Sequence, residues 1–116
     1  MEDVTFEELR GLLDDADLVV LDVRTQLEFD GLAGAHCDPR QGHIPGALHL
    51  PLDRILECRS AAEVRELVGR PEGAAIVAYC HSGSRSRFAV QVLEGASYRA
   101  RNYTGSWHEW SRLVTD

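Results

Sequence analysis

Short apolar runs alternate with amphipathic segments along most of the chain. The runs LVVLDV at 18–23, ALHL at 47–50 and AAIVAY at 74–79 have the length of single strands and are mostly apolar. Such runs are typical of strands buried on both faces of a sheet. Residues 99–103 are predicted to form a last strand.

Helical patterns lie between these runs. We predict a short helical turn and then a loop within residues 25–41, and full helices over 5–14, 52–58, 60–68, 86–94 and 106–113. Two helix starts carry the spacing of a capping box, Thr5 with Glu8 and Ser60 with Glu63, and the helices before Gly69 and Gly95 are expected to end at those glycines.

Strands that alternate with helices indicate an α/β fold with a parallel sheet, which we expect to have about five strands and helices on both faces. The 116 residues have the length of one domain, so residues 1–116 are predicted to form a single domain. Ligands of such sheets bind beyond the carboxyl ends of the strands. The turn after Tyr79 lies at one of these ends.

Composition and charge narrow the range of partners. The chain is 44% hydrophobic and 27% charged, as in ordinary globular proteins, and has a formal net charge of −7. This charge argues against nucleic acid or an anionic membrane as a partner, although a local site can still bind an anion. The acidic N-terminus is unlike a secretory signal, and three cysteines cannot all pair internally. We therefore expect a cytoplasmic protein with free thiols.

The segment YCHSGSRS at 79–86 joins the most apolar strand to a helix. A strand that leads through small residues into a helix start leaves backbone N–H groups that converge on one point and bind anions. These donors favour the thiolate of Cys80, and Arg85 is expected to add a positive charge. Gly83 permits a positive φ in the loop. The alternative is a buried structural cysteine without reactivity.

Three further segments resemble signatures of the rhodanese family and occur in the family's order. They are LDVR at 21–24, GHIPGA at 42–47 and YTGSWHEW at 103–110, with Glu28 and Phe29 between the first two. The resemblance spans nearly the whole chain. The long segment between Arg24 and Gly42 and the Gly-x-Trp-x-Glu-Trp pattern most resemble the catalytic half of tandem-domain sulfurtransferases.

The resemblance implies a specific chemistry. Rhodaneses take sulfane sulfur from a donor such as thiosulfate onto a cysteine and pass it to cyanide, a thiol or a protein acceptor, without a metal or organic cofactor. Cys80 would be the nucleophile, and the loop that holds the persulfide would comprise His81, Ser82, Gly83, Ser84, Arg85 and Ser86. The loop lacks both the Cys-Gly-x-Gly start associated with mercaptopyruvate and the more basic loop associated with thiosulfate, so the donor stays open.

Four supporting residues are assigned less direct roles. Asp22 and Arg24 are expected to fix a strand end through a salt bridge, with a direct catalytic role as the alternative. His43 is expected to cap the turn before Pro45, with a role as a base as the alternative. Glu28 either contacts Arg85 or the active loop, or is a solvated helix carboxylate.

His36 and Cys37 are weak evidence for zinc, because a second pair of ligands is not evident. Cys37 has the alternative of forming a regulatory disulfide with Cys80. Without a second lobe to cover the loop, we expect Cys80 to be open to protein-sized acceptors.

Two other functions remain as alternatives. One is a rhodanese-like binding or sulfur-relay module without turnover, although such a module has no need of Cys80 and Arg85. The other is a phosphatase, since phosphatases that share the family's fold use a Cys-x5-Arg loop. Here four residues separate Cys80 from Arg85, and Ser86 occupies the position of the phosphatase arginine. The shorter loop favours a sulfur atom over a phosphoryl group.

Overall fold

The computed structural model describes residues 3–114, and its central sheet has four parallel strands. They lie in the order β2-β1-β3-β4 and comprise β1 (Leu18–Asp22), β2 (Leu48–His49), β3 (Ala75–Tyr79) and β4 (Arg99–Asn102). Asp22 pairs in register with both Tyr79 and His49. The carboxyl ends of three strands therefore meet at one edge, as parallel pairing requires. The predicted domain, 1–116, extends two residues past the described ones at each end.

The prediction of about five strands exceeds the four found in residues 3–114. Val4 makes an isolated parallel bridge to Tyr103, and its N–H donates to the Asn102 carbonyl at 2.8 Å. Thr5 is already the cap of the first helix, so the chain leaves the sheet after this one bridge.

Six helices within residues 3–114 cover the sheet. They are α1 (Phe6–Leu12), α2 (Gln26–Phe29), α3 (Leu52–Glu57), α4 (Ala61–Val68), α5 (Ser84–Gly95) and α6 (Ser106–Leu113). None of the helices in residues 3–114 combines the length and the apolar character needed to cross a membrane.

The helix ends confirm some predicted caps and correct others. The capping box of Thr5 with Glu8 is complete, and Gly69 ends α4 with a φ of 73°. Ser60 accepts the Glu63 N–H, but the Glu63 carboxylate accepts the N–H of Arg59, so the second capping box is only half formed.

Helix α5 differs from its predicted bounds at both ends. It begins at Ser84, two residues earlier than predicted, because Gly83 at φ 95° makes the turn that starts it. It also includes Gly95, and the left-handed turn that follows the helix falls at Ser97, at φ 72°.

Two clusters of buried side chains lie on opposite faces of the sheet. Ile76 and Ala78 pack with residues of α3, α4 and α5, whereas Val77 and Tyr79 pack with residues of α1 and α6. Burial of each large apolar side chain contributes about 1.5–3 kcal/mol. The apolar run of β3 is therefore buried on both faces, as its composition predicts, and it fixes the position of the residue that follows it.

Candidate active site

Cys80 directly follows β3, and α5 begins four residues later, at Ser84. Its N–H donates to the Ser106 hydroxyl at 3.1 Å. The first turn of α6 also holds the loop, because the Trp107 N–H donates to the Cys80 carbonyl at 3.0 Å and the His108 N–H to the His81 carbonyl at 2.9 Å. The loop is therefore fixed between the starts of two helices.

The sulfur of Cys80 lies among hydrogen-bond donors from its own loop. The Gly83 N–H is 3.1 Å from Sγ, and the N–H and hydroxyl of Ser86 are 3.5 and 3.4 Å away. Burial raises the pKa of the Cys80 thiol, but the Ser86 hydroxyl and the amides of Ser86, Ser82 and Gly83 together outweigh burial. The pKa of Cys80 therefore lies below its ordinary value, which favours the nucleophilic thiolate.

The hydroxyl of Ser86 has one proton and two acceptors to choose from. It lies 2.6 Å from Asn102 Oδ1 and 3.4 Å from the sulfur. A hydroxyl donates only one hydrogen bond, so donation to the thiolate requires Ser86 to release Asn102. The Gly83 N–H does not have to choose between two acceptors in this way. It is also the shortest of these contacts to the sulfur, at 3.1 Å.

The guanidinium of Arg85 donates its hydrogen bonds to Glu28, and the hydrogen bonds to the sulfur come from Gly83 and Ser86. Its two terminal nitrogens donate to the two Glu28 oxygens at 2.9 and 3.1 Å. Burial raises the pKa of Glu28, but hydrogen bonds from Arg85 and Thr25 overcome it and lower that pKa to about 2. Glu28 is thus a partner of Arg85, which resolves the alternative left open by the sequence. The expected positive charge of Arg85 near Cys80 is present, since the two groups interact electrostatically, but Glu28 offsets part of it.

Asp22 and Arg24 form a buried ion pair at the carboxyl end of β1. Arg24 Nε lies 2.9 Å from Oδ1 of Asp22, and Nη2 lies 2.6 Å from Oδ2. Arg24 Nη2 also donates to the Gly42 carbonyl, and the Tyr79 hydroxyl donates to Asp22 and accepts the Ile44 N–H. The pair therefore fixes the strand end and attaches residues 42–44 to it, a structural role.

His43 contacts α2, which corrects its predicted role as a cap of the turn before Pro45. Its Nδ1 lies 2.8 Å from the Phe29 carbonyl, and its ring stacks on the Phe29 ring with centroids 3.8 Å apart. The turn itself is closed by the backbone, where the Ala47 N–H donates to the Ile44 carbonyl. His43 therefore positions α2, and with it Glu28.

Cys80 is fully buried, with 0% of its surface exposed, so the expectation that it is open to protein-sized acceptors is wrong for the thiol itself. Gly83 and Ser86 of the loop donate to the sulfur, and the first turn of α6 holds the start of the loop. All three cysteines are free thiols, and the alternative of a Cys37–Cys80 disulfide is not the state described.

Two polar residues of the site were missed by sequence reasoning. Asn102 donates to the Gly83 carbonyl at 3.1 Å besides accepting from Ser86, and its place at the end of β4 was a usable signal. Ser106 accepts the Cys80 N–H with its own φ at 55°, a left-handed conformation that a serine in a sequence does not indicate.

Position 83 requires glycine for two reasons, its backbone conformation and the atoms close to it. At φ 95° it adopts a conformation that favours glycine, and a Cβ there would lie 2.7 Å from the Thr104 carbonyl oxygen. The loop can therefore approach the segment before α6 only with glycine at this position.

The protein has a parallel α/β sheet, and a buried cysteine lies in an amide-lined loop at the carboxyl edge of that sheet. This arrangement is typical of proteins that use a stabilised cysteine thiolate. Comparison with known proteins makes this specific, because the family model of the rhodanese-like domain matches residues 5–113. The chain belongs to the rhodanese-like family.

Two curated relatives illustrate the kinship. A thiosulfate sulfurtransferase of Corynebacterium glutamicum is 37% identical over 124 residues, covering 93% of this chain and 40% of that protein. Thiosulfate sulfurtransferase/rhodanese-like domain-containing protein 3 of Mus musculus is 31% identical, covering 92% of this chain and 66% of that protein. The chain thus spans less than two thirds of the length of these relatives.

Solved structures agree with the sequence relatives. A crystal structure of a probable thiosulfate sulfurtransferase is 39% identical with a TM-score of 0.82, over 95% of this chain and 44% of that one. The human single-domain sulfurtransferase is 30% identical with a TM-score of 0.70, over 99% of both chains. The resemblance noted in the sequence is confirmed.

Proposed function

We propose that this chain is a sulfurtransferase that carries sulfane sulfur as a persulfide on Cys80. The observation that carries the proposal is the set of donors around Sγ, with the Gly83 N–H at 3.1 Å and Ser86 at 3.4 and 3.5 Å. These donors stabilise an anionic sulfur. The thiosulfate sulfurtransferase names of the relatives support the same activity.

The reaction follows from a thiolate held in this cradle. The Cys80 thiolate attacks the outer sulfur of thiosulfate, the S–S bond of the donor breaks, and sulfite leaves with the bonding electron pair. Cyanide or a thiolate then attacks the outer sulfur of the persulfide, and Cys80 departs as a thiolate. No net oxidation of the protein occurs over the cycle.

Burial of Cys80 determines which atom meets the acceptor. The thiol has no exposed surface, but a persulfide places its outer sulfur about 2 Å beyond Sγ. The acceptor therefore needs to reach only this outer atom. A small nucleophile or an extended thiol fits this requirement, and a protein acceptor would have to present its thiol on a projecting segment.

The loop bears on the choice of donor. Arg85 is the one arginine of the active-site loop, residues 81–86, and Glu28 offsets its positive charge. Recognition of an anionic sulfur donor therefore rests mainly on the backbone amides and hydroxyls of the loop. Thiosulfate or a similar small sulfur donor is the proposed substrate. We further propose that residues 1–116 act as one rhodanese domain, and that it works in a reducing compartment such as the cytoplasm, since its three cysteines are free.

The test is direct detection of the persulfide. Incubation with thiosulfate should add one sulfur atom to Cys80 by mass spectrometry, and subsequent cyanide should release thiocyanate and restore the original mass. Cys80→Ser should lose both steps, whereas Cys58→Ser, which changes a thiol outside the loop, should keep them. Full transfer by Cys80→Ser would refute the mechanism. Loading by a different donor alone would replace thiosulfate while keeping Cys80.

A further inference from the structure

Four metal-ligating side chains meet beside the active-site loop. Cys37 and Asp38 come from the segment between α2 and β2, His81 from the loop, and His108 from α6. Each offers one ligand atom, and these atoms all lie within 4.8 Å of one another. We propose that this cluster, which we call the rim site, binds a divalent cation of the Zn²⁺ class.

The buried carboxylate of Asp38 is the first argument for the rim site. Its side chain has 0% exposed surface, and its Oδ1 accepts from Arg112 at 3.0 Å. Its other oxygen, Oδ2, lies at ion-pair distance, 3.0 Å, from Nε2 of His81, but neither of these two buried atoms makes a hydrogen bond. A cation held between them would bind both atoms.

The donor set fits zinc better than the hard cations. One sulfur, two imidazole nitrogens and one carboxylate oxygen are ligands of Zn²⁺, whereas Mg²⁺ and Ca²⁺ prefer oxygen alone. Tetrahedral bonds of about 2.0–2.3 Å place ligand atoms about 3.3–3.8 Å apart. The ligand atoms of the rim site lie up to 4.8 Å apart, so the widest distance between two of them has to shorten by about 1 Å when the cation binds. Cys37 is exposed and His108 is half-exposed, so both side chains have room to move inward.

Arg112 organises the rim site from outside. It donates to Oδ1 of Asp38 and, at 2.6 Å, to the Cys37 carbonyl, which fixes the two neighbouring ligands. Its Nη1 also lies 3.1 Å from Nδ1 of His108. Because arginine only donates, the Nδ1 lone pair of His108 accepts from Arg112, and a cation that binds Nδ1 has to displace this contact. The Arg112 charge opposes a dication, but a Cys37 thiolate and the Asp38 carboxylate supply two negative charges.

The ligands come from three distant parts of the sequence, which is why His36 and Cys37 alone gave only a weak zinc signal. His36 is not a member of the cluster, and neither is Cys80. The rim site is therefore separate from the nucleophile. Since His81 follows Cys80, a bound cation would restrain the active loop against α6 and the 37–38 segment.

The test uses the full chain carrying Cys80→Ser, so that the nucleophile cannot hold the metal. Titration with Co²⁺ should give one ion per chain and a thiolate-to-cobalt absorption band, and Zn²⁺ should displace it. Adding Cys37→Ser should abolish the band, and His108→Asn should weaken binding beyond the about 10–100-fold typical of second-shell changes. Cys58→Ser and His36→Asn are the matched controls and should bind normally.

Three results would overturn the rim site. The first is the absence of one tight Co²⁺ equivalent in the Cys80→Ser chain, which would leave an adventitious ion only. The second is a band that persists in Cys37→Ser. The third is equal weakening by His36→Asn and His108→Asn. Cys37 is exposed, so its substitution is not expected to unfold the chain, and thermal unfolding without metal verifies this. Because Cys80 is already replaced, the outcome does not depend on sulfur transfer.

Discussion

Glu28 and Arg85 are joined by two parallel hydrogen bonds of 2.9 and 3.1 Å across 57 positions of the sequence. The ion pair attaches the short helix α2 to the start of α5, and so to the loop that carries Cys80. Arg85 therefore has a structural partner before any substrate arrives. The arginine shapes the loop at least as much as it contributes charge.

This ion pair predicts a dependence of stability on pH. The folded pKa of Glu28 is about 2, below its unfolded value of about 4.3. Its contribution is therefore fully present above about pH 4.3 and is lost as the pH falls toward 2. Because Arg85 is 37% exposed, we expect only about 1 kcal/mol. Urea unfolding at pH 6 and pH 3 should show Glu28→Gln less stable than wild type at pH 6, with the difference reduced to roughly half at pH 3. Glu66→Gln, at an exposed position, is the control; an unchanged difference at both pH values would contradict the assignment.

Ser86→Ala should raise the pKa of Cys80. The variant removes the hydroxyl 3.4 Å from the sulfur but retains the amides of the loop. Loss of one donor to an anion corresponds to roughly 1 kcal/mol, or about one pKa unit. The pH dependence of alkylation by iodoacetamide measures the shift. Ser84→Ala, which changes an exposed hydroxyl at the start of α5, should leave the thiol pKa where it is; equal shifts in both variants would show that Ser86 has no special part.

Gly83→Ala should destabilise the protein by about 2–4 kcal/mol, because strain at positive φ adds to a clash with the Thr104 carbonyl. Gly69→Ala is the matched comparison, since Gly69 also has a positive φ, of 73°, but a Cβ there meets nothing within 4 Å. That variant should cost only about 1 kcal/mol. Thermal unfolding of both variants tests the difference, and equal losses would mean that the Thr104 contact is unimportant.

Arg24→Met should cost more stability than Tyr79→Phe. Removal of the arginine leaves the Asp22 carboxylate buried without its cation, a loss of roughly 3–5 kcal/mol. Removal of the Tyr79 hydroxyl takes away one donor to Asp22 and the acceptor of the Ile44 N–H, roughly 1–3 kcal/mol. Denaturant unfolding ranks the two variants, and the reverse order would contradict the view that Arg24 is the main partner of Asp22.

Local patterns in the sequence were sufficient for the frame of the site. The apolar run before Cys80, the small residues after it and the helix that follows are neighbours along the chain, so their strand, loop and helix follow from local rules. The same rules located Gly83 as the residue of positive φ. They placed the start of α5 two residues late, because a glycine at a helix start makes no side-chain cap that a pattern can reveal.

What the sequence could not provide were contacts between distant segments. The pairing of Arg85 with Glu28, the hydrogen bonds of Asn102 and the approach of Asp38 to His81 and His108 depend on how helices and loops pack against the sheet. Each joins residues more than 15 positions apart. Burial of Cys80 was missed for the same reason, since α6 covers the loop from the far end of the chain.

The full burial of Cys80 separates its reactivity from its exposure to damage. Mixed-disulfide formation with a bulky partner requires both a thiolate and room for that partner beside it. Cys80 supplies the thiolate character without an accessible surface, whereas Cys37 is exposed. Bulky oxidants such as glutathione disulfide should therefore modify Cys37 first. The resting chain would then keep its sulfur-carrying cysteine free of mixed disulfides with bulky thiols.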